Sequence, residues 1–504
     1  MEFCPLRPAA LLVPLSLTLL AGCGNAPATL GGRSERVLPM PAGIRVAFNH
    51  REAAGYRSPV SGRQRQGDDL EAMVVDAIGE ARQEILVAVQ ELSLPAVAQA
   101  LIARHREGVA VKVVLEDTYS TPWSRQHPVD LTPHQRQRQA QLMALGQPDA
   151  VALLGQAGVP MIDDTADGSA GSGLMHHKFL VVDRRLVVTG SANFSPSCVH
   201  GDPEDPRTRG NVNHLLRFDS ASLAELFAQE FARLWGDGPG GAPDSRFGLA
   251  KESGPAQQVQ VGETRVEVLF APHRRQDPDH GLRWLAAQLA TVERQLDLSL
   301  FVFSAQGLAD ALAGLVGRGV GVRLLADPGF ASRPFSEVLD VLGVSRPDGA
   351  CLLEADNRVW QRPLEGVGTP RLVGGDKLHH KFAVLDRERV ITGSFNWSPS
   401  AAHQNDETLL LIHSPELAAH FTREMDRLWR GAELGVSGRM ERGLARSRQR
   451  CGQGQKRPDS AASGAHSPIA LLRSPTSMGL TAAAPSWIRL PPSEASPPSW
   501  MRST

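Results

Sequence analysis

Two rhythms of apolar residues alternate along this chain. Short runs rich in Val, Ile, Leu and Phe are separated by stretches whose apolar positions recur every three or four residues. Runs of about four to eight residues bounded by turn residues read as buried strands, and the longer periodic stretches as helices with one apolar face. In the first half this predicts a strand at 44–48, a helix over 69–83, a strand at 85–92, a helix across PAVAQALIARHREG and a strand at 109–117. The order returns in the second half: a strand at 266–270, a helix over 282–296, a strand at 298–303, a helix in GLADALAGLVGRG and a strand at 320–327. Strands alternating with helices of this length indicate an α/β fold.

The two halves are copies. REGVAVKVVLED aligns with GRGVGVRLLAD at an offset of 211 residues, MHHKFLVVD with LHHKFAVLD at 203, and ARLW with DRLW at 194. Offsets that drift only through loop changes mark an internal duplication. Two copies are too few for a solenoid, so two similar domains packed about a pseudo-two-fold axis are expected, at 44–240 and 241–435. The stretch 118–167 has no obvious counterpart and reads as an insertion, either plain surface or a lid over the site. From about residue 436 the pattern dissolves into Ser, Pro, Gly and Arg, and 436–504 reads as a disordered tail, solvated although its arginines suit anionic lipid or nucleic acid.

The first residues obey neither rhythm. One positive charge at Arg7 precedes the apolar run AALLVPLSLTLLAG, too short to span a membrane and remain there, which is the architecture of an export signal over 1–22. It ends Leu20-Ala21-Gly22-Cys23, similar to the bacterial lipobox, so Cys23 is the expected lipidation site and 23–43 a tether holding the exported chain at a bacterial membrane. The other cysteines, Cys4, Cys198, Cys351 and Cys451, lack metal-site or disulfide-scaffold spacing and read as isolated thiols. With 504 residues, 42% hydrophobic and a net charge of -1, the chain has room for two cores and no global field to attract nucleic acid.

The repeated motif carries chemistry. The first copy supplies His176, Lys178, Asp183, Gly190, Ser191 and Asn193, and the second His379, Lys381, Asp386, Gly393, Ser394 and Asn396, at identical spacing. On a strand, residues two apart share a face, so each motif's first histidine points with its lysine while His177 and His380 point away, which disfavours a metal site. Asp183 and Asp386 complete the candidate catalytic set, but at seven residues they fall on the opposite face and are assigned a structural role first. Displacing a phosphodiester needs a nucleophile, a proton donor opposite and positive charge around the equatorial oxygens. One imidazole attacks, the other protonates the leaving oxygen, and the lysines hold charge. Ser191, Asn193, Ser394 and Asn396 are candidates for binding the phosphoryl group.

These residues closely resemble the phospholipase D superfamily, whose signature HxKxxxxD followed by GSxN stands here twice from about residue 44 to 429. The resemblance implies a mixed sheet flanked by helices in each half, one active site at their interface, a covalent phosphohistidine and no metal or other cofactor. It also implies a residue downstream that orients each histidine. In the second half that is Glu407; the alignment of NVNHLLRF with NDETLLLI puts Asn213 in its place in the first. Because a carboxylate favours imidazolium, Glu407 is expected to pair with His379 as general acid and Asn213 with His176 as nucleophile. The expected substrate is a glycerophospholipid in a membrane, with water or an alcohol as acceptor and an internally paired monomer as the active form. Nucleic acid hydrolysis and cardiolipin-synthase-like transfer are the alternatives. Trp235 and Trp429 read as core anchors.

Overall fold

A computed structural model describes residues 37–169, 173–201, 205 and 207–457, apart from the side chain of His134. The leader, Cys4, Cys23 and the tail beyond 457 lie outside the described residues.

The first half is a seven-stranded sheet in the order Ile44–Phe48, His214–Asp219, Leu186–Gly190, Lys178–Val182, Glu84–Val89, Ala110–Leu115, Met161–Asp163. The second repeats that order as Thr264–Ala271, Glu407–His413, Arg389–Gly393, Lys381–Leu385, Gln295–Leu300, Gly321–Ala326, Val367–Thr369, with Gln257–Val261 and Glu433–Leu434 added at its edges. Both sheets are mixed: Glu84–Val89 runs parallel to Ala110–Leu115 and antiparallel to Lys178–Val182. Crossover helices Leu70–Gly79 and Pro95–Arg106 cover the outer face of the first sheet, and Gly281–Ala290 and Gln306–Gly317 that of the second. Asp69 begins the first of these by accepting the Ala72 N–H, an N-cap that stops it extending back into the loop.

The inner faces share one core. Helices Ala221–Trp235 and Pro415–Trp429 present Phe227, Phe231, Phe421 and Met425 to it, together with Phe179, Phe218 and Phe382 from the sheets. Trp235 is buried there, and Trp429 packs against it half-buried beneath the Arg323 guanidinium. One contiguous core joins the two halves in a single body.

Several expectations change. The strand expected at 298–303 is Gln295–Leu300, and the helix before it ends at Ala290, because Thr291 closes it and the backbone must extend to pair with Lys381–Leu385. The stretch 118–167 is only partly an insertion. Its helix Ala150–Gln156 is buried against Pro95–Arg106, and Met161–Asp163 pairs parallel with Ala110–Leu115 as Val367–Thr369 does with Gly321–Ala326. The tail begins later than 436: Gly438–Cys451 is a helix whose Met440, Gly443, Leu444 and Ser447 are buried, a stripe at helical spacing that the arginines around it obscure. Cys351 and Cys451 are not isolated thiols but a disulfide closing a loop with a sequence separation of 100, while Cys198 is free and buried. Cross-linking so long a loop restricts the unfolded chain, so Cys351→Ser together with Cys451→Ser is expected to lower unfolding free energy by about 2–4 kcal/mol in denaturant titrations. Among the described residues no helix is long and apolar enough to cross a membrane.

Candidate active site

Each HxK motif stands where its strand begins, at the middle of its sheet. Lys178 and Lys381 open strands Lys178–Val182 and Lys381–Leu385, and the histidines two residues earlier sit where each half meets the other. Reciprocal backbone bonds make that junction: His176 N–H donates to Asp406 O and His379 N–H to Val212 O, both at 3.0 Å. Gly190 and Gly393 end the neighbouring strands where a side chain has no room. A Cβ on Gly393 would stand 2.2 Å from Thr408 O, and φ there is +134°.

The orienting residues are the expected ones, but they cross over. His176 Nδ1 lies 2.8 Å from Glu407 Oε2, and His379 Nδ1 lies 2.9 Å from Asn213 Oδ1, so each half orients the other's histidine. The expected pairing of Glu407 with His379 is therefore corrected. It assumed orientation within a half, whereas the pseudo-two-fold contact places the start of each half's strand against the other's histidine. Asn213 donates its amide to Cys198 O at 3.0 Å and Asn211 O at 3.1 Å, which leaves Oδ1 to accept from His379 Nδ1–H. Both rings then carry their proton on Nδ1 and present Nε2 to the site.

Ser191 and Ser394 spend their hydroxyls on the orienting residues. Ser191 Oγ donates to Asn213 Oδ1 at 2.8 Å and Ser394 Oγ to Glu407 Oε2 at 2.6 Å, so they hold the residues that hold the histidines. Asn193 and Asn396 stay at the site, each with a buried Oδ1 lacking a partner among the described residues. Asp183 and Asp386 leave the catalytic set. They lie beyond the far ends of five-residue strands, about 16 Å from the lysines. There Asp183 accepts backbone N–H bonds from Arg82, Gln83 and Glu84, and Asp386 from Glu293, Arg294 and Gln295. Asp183→Ala is thus expected to lower stability by about 1–3 kcal/mol while leaving the turnover of folded enzyme unchanged, as thermal melts and rates per folded molecule would show.

Four basic side chains share this buried junction. Burial first, then Lys178 and Lys381, hold the His176 imidazole well below its ordinary range; burial, Lys381, Lys178 and His176 do the same to His379. Burial brings the Lys178 ammonium down to about 7 and lowers Lys381 strongly, while it raises Glu407 to about 7. An anion placed among these four groups would favour their charged forms. The lysines are held by local carbonyls, Lys178 Nζ to His176 O at 2.6 Å and Lys381 Nζ to His379 O at 2.8 Å.

The walls differ. Gln90 on the first-half side accepts from Lys178 and Asn193, both at 3.3 Å. At the corresponding place, 211 residues on, stands Phe301, whose ring lies under Lys381 Nζ, 4.6 Å from the His379 ring and 4.5 Å from Phe330. Beside Gln90, Glu91 takes an ion pair from Arg138 at 2.8 Å, which fastens helix Pro133–Ala144 to the first-half wall. Glu116, Asp117 and Asp164 are the described carboxylates grouped closely enough to share a cation, but Asp164 accepts from Met175 N and Asp117 N, and Glu116 from Thr118.

The second histidine of each motif reaches inward. His177 Nε2 meets Glu230 at 3.1 Å and His380 Nε2 meets Glu424 at 3.1 Å. The offset of 194 that joins Trp235 to Trp429 also joins these glutamates, a signal the sequence contained. Lys251, in the connection between the halves, bonds both Glu230 and Asp406, and no periodicity would have revealed it.

A family model described as the cardiolipin synthase, PLD-like domain matches residues 74–235 and 285–429, together more than half of the chain. The mitochondrial cardiolipin hydrolase of Xenopus laevis is 30% identical over 174 residues, 34% of this chain and 73% of that protein. For the dog protein of the same name the figures are 31% over 158 residues, 31% of this chain and 52% of the relative. A phospholipase D of Rickettsia bellii is 26% identical over 159 residues, covering 32% of this chain and 66% of the relative. The phosphatidylserine synthase structure of Haemophilus influenzae aligns over 77% of this chain and 89% of its own at 14% identity and a TM-score of 0.49. The chain belongs to the phospholipase D superfamily, with two regions of the cardiolipin synthase, PLD-like domain family that together furnish one pair of HxK motifs.

Proposed function

We propose that this enzyme hydrolyses glycerophospholipids, with His176 as nucleophile and His379 as general acid and base. The observation that carries the reading is the meeting of both HxK pairs in one buried junction, with Glu407 on His176 and a neutral amide on His379. Nε2 of His176 attacks phosphorus and forms the P–N bond as the P–O bond to the head group breaks. The leaving oxygen takes the proton from Nε2 of protonated His379. The ring of His176 gains positive charge as the new bond forms, and the Glu407 carboxylate supports it through Nδ1–H. Asn213 offers His379 no such support, which makes its imidazolium the stronger acid. Water then loses a proton to His379 as its oxygen attacks phosphorus, releasing phosphatidate and restoring His176. An alcohol in the place of water gives transfer. Lys178, Lys381, Asn193 and Asn396 stabilise the equatorial oxygens.

We further propose that the enzyme works outside the cytoplasm on a lipid anchor at Cys23, a reading supported by the sequence of the leader and by the Cys351–Cys451 disulfide, which suits an oxidising compartment. The reading is tested by assaying the protein in EDTA on mixed phospholipid vesicles and on DNA in parallel. Phospholipid turnover that vanishes in His176→Ala and in His379→Ala is expected; DNA cleavage alone would replace this reading with a nuclease.

A further inference from the structure

Helix Gly438–Cys451 turns its buried stripe to the second half and Arg439, Arg442, Arg446, Arg448 and Arg450 to solvent, with Glu441 as the one acid among them. In a chain of net charge -1 this is a strong local concentration of charge. Arg439, Arg442, Arg446 and Arg448 have no carboxylate within ion-pair distance among the described residues. Of the other acids nearby, Glu433 accepts from Gly438 N–H and Asp348 pairs with Arg457. Arg346 adds to the cluster: its guanidinium bonds Ser332 O and lies against Gly443, and besides burial it feels Arg446, Arg333 and Arg450. The helix is held in place at its end by Cys451–Cys351 and along its length by Ser447 Oγ to Pro347 O at 2.9 Å.

A line of contacts runs from this face to the active site. A Cβ on Gly329 would lie 3.9 Å from the Arg439 guanidinium, and the next residue, Phe330, meets Phe301, which meets His379. Phe335 continues the aromatic strip 6.4 Å from Phe330, and Leu434, just ahead of the helix, is an exposed apolar side chain at 47%. We propose that the arginine face of helix Gly438–Cys451 docks on the anionic head groups of a phospholipid bilayer and sets the aromatic strip, and the site behind it, against the membrane. The inference rests on the phospholipid reading above. Unpaired guanidinium groups match phosphate in charge and geometry, and an apolar residue beside them suits an interface of head groups and acyl chains more than a nucleic acid backbone.

The test uses the full chain carrying Cys23→Ser, so that no acyl group anchors it, with and without Arg439→Glu/Arg442→Glu/Arg446→Glu, three arginines on one flank of the helix. Vesicles of phosphatidylcholine are compared with vesicles of phosphatidylcholine mixed with phosphatidylglycerol. Sedimentation is expected to show binding to the anionic vesicles that rising salt weakens and that the triple variant reduces by about a hundredfold. Turnover of a water-soluble short-chain phosphodiester should not change. The corresponding triple glutamine variant, expected to bind with intermediate strength, guards against misfolding caused by charge reversal. Unaltered vesicle binding in both variants overturns the proposal, as does a loss confined to duplex DNA, which would assign the face to nucleic acid. If the parent binds anionic vesicles through these arginines yet hydrolyses no phospholipid, the docking face stands and the substrate reading falls.

Discussion

On a phosphodiester whose leaving group is 4-nitrophenolate, His379→Ala is expected to keep a rapid burst of nitrophenolate and then stall, whereas His176→Ala shows no burst. A phenolate this stable departs without a proton, so the first step loses its need for the acid, a need that otherwise accounts for about 10²–10⁴-fold in rate. The second step still needs His379 to take a proton from water, so the covalent species accumulates. Removing His176 deletes the atom that forms the P–N bond, and turnover should fall by on the order of 10⁴-fold or more for every leaving group. Rapid-mixing absorbance follows the burst, and mass spectrometry of acid-avoiding digests locates the phosphoryl group. An adduct on the peptide bearing His379, or a burst that survives in His176→Ala, reverses the two roles. The distinction rests on Glu407, which is fully buried and shared between His176 Nδ1, Ser394 and Asn405.

What the sequence disclosed, and what it withheld, follows from the range of each interaction. The period of two along a strand suffices to place His176 with Lys178, to turn His177 away and to set Asp183 off their face. Repetition at fixed offsets makes the two halves and their equivalent residues legible, Asn213 and Glu407 among them. Equivalence does not say which half a residue reaches. The crossing of Glu407 to His176 is a property of the interface, and an alignment of one half on the other is blind to it. The partners of Ser191 and Ser394 are hidden for a related cause: their hydroxyls reach across to the neighbouring strand, to Asn213 and Glu407. The Cys351–Cys451 pair spans too much sequence for spacing to signal it, and the helix that carries Cys451 hides a narrow apolar stripe among arginines.

Lys251→Met is expected to cost about 3–5 kcal/mol of stability, because it removes the cation that two buried carboxylates share. Glu230 is left to His177 and the more exposed Arg233, and Asp406 to Gly248 N–H. Lys251 pairs with Glu230 and, at 2.8 Å, with Asp406, and the three side chains are 0%, 0% and 2% exposed. Burial alone would raise Glu230, but Lys251, followed by His177, outweighs it and brings the carboxyl down to about 2; burial raises Asp406 in spite of the same lysine. The sign with pH follows from Glu230. A carboxyl depressed in the folded state adds stability that is fully present above its unfolded value of about 4.3 and is lost as pH falls towards 2. Without Lys251 that contribution disappears, so parent and variant should differ most in unfolding free energy near pH 7 and converge between about pH 4 and 2. Adding Glu230→Gln to Lys251→Met removes one stranded charge and should recover part of the loss at neutral pH. A pH-independent difference between parent and Lys251→Met would mean that lost packing, not charge, is what the lysine supplies. The consequence reaches catalysis because Asp406 O receives the His176 N–H and its neighbour Glu407 holds the same ring. At the corresponding position on the other side stands Val212, which gives its carbonyl to His379 and has no charge to brace. The lysine therefore stiffens the His176 side of the junction alone, and Lys251→Arg, which keeps the charge, should retain far more turnover than Lys251→Met under conditions where all three proteins remain folded.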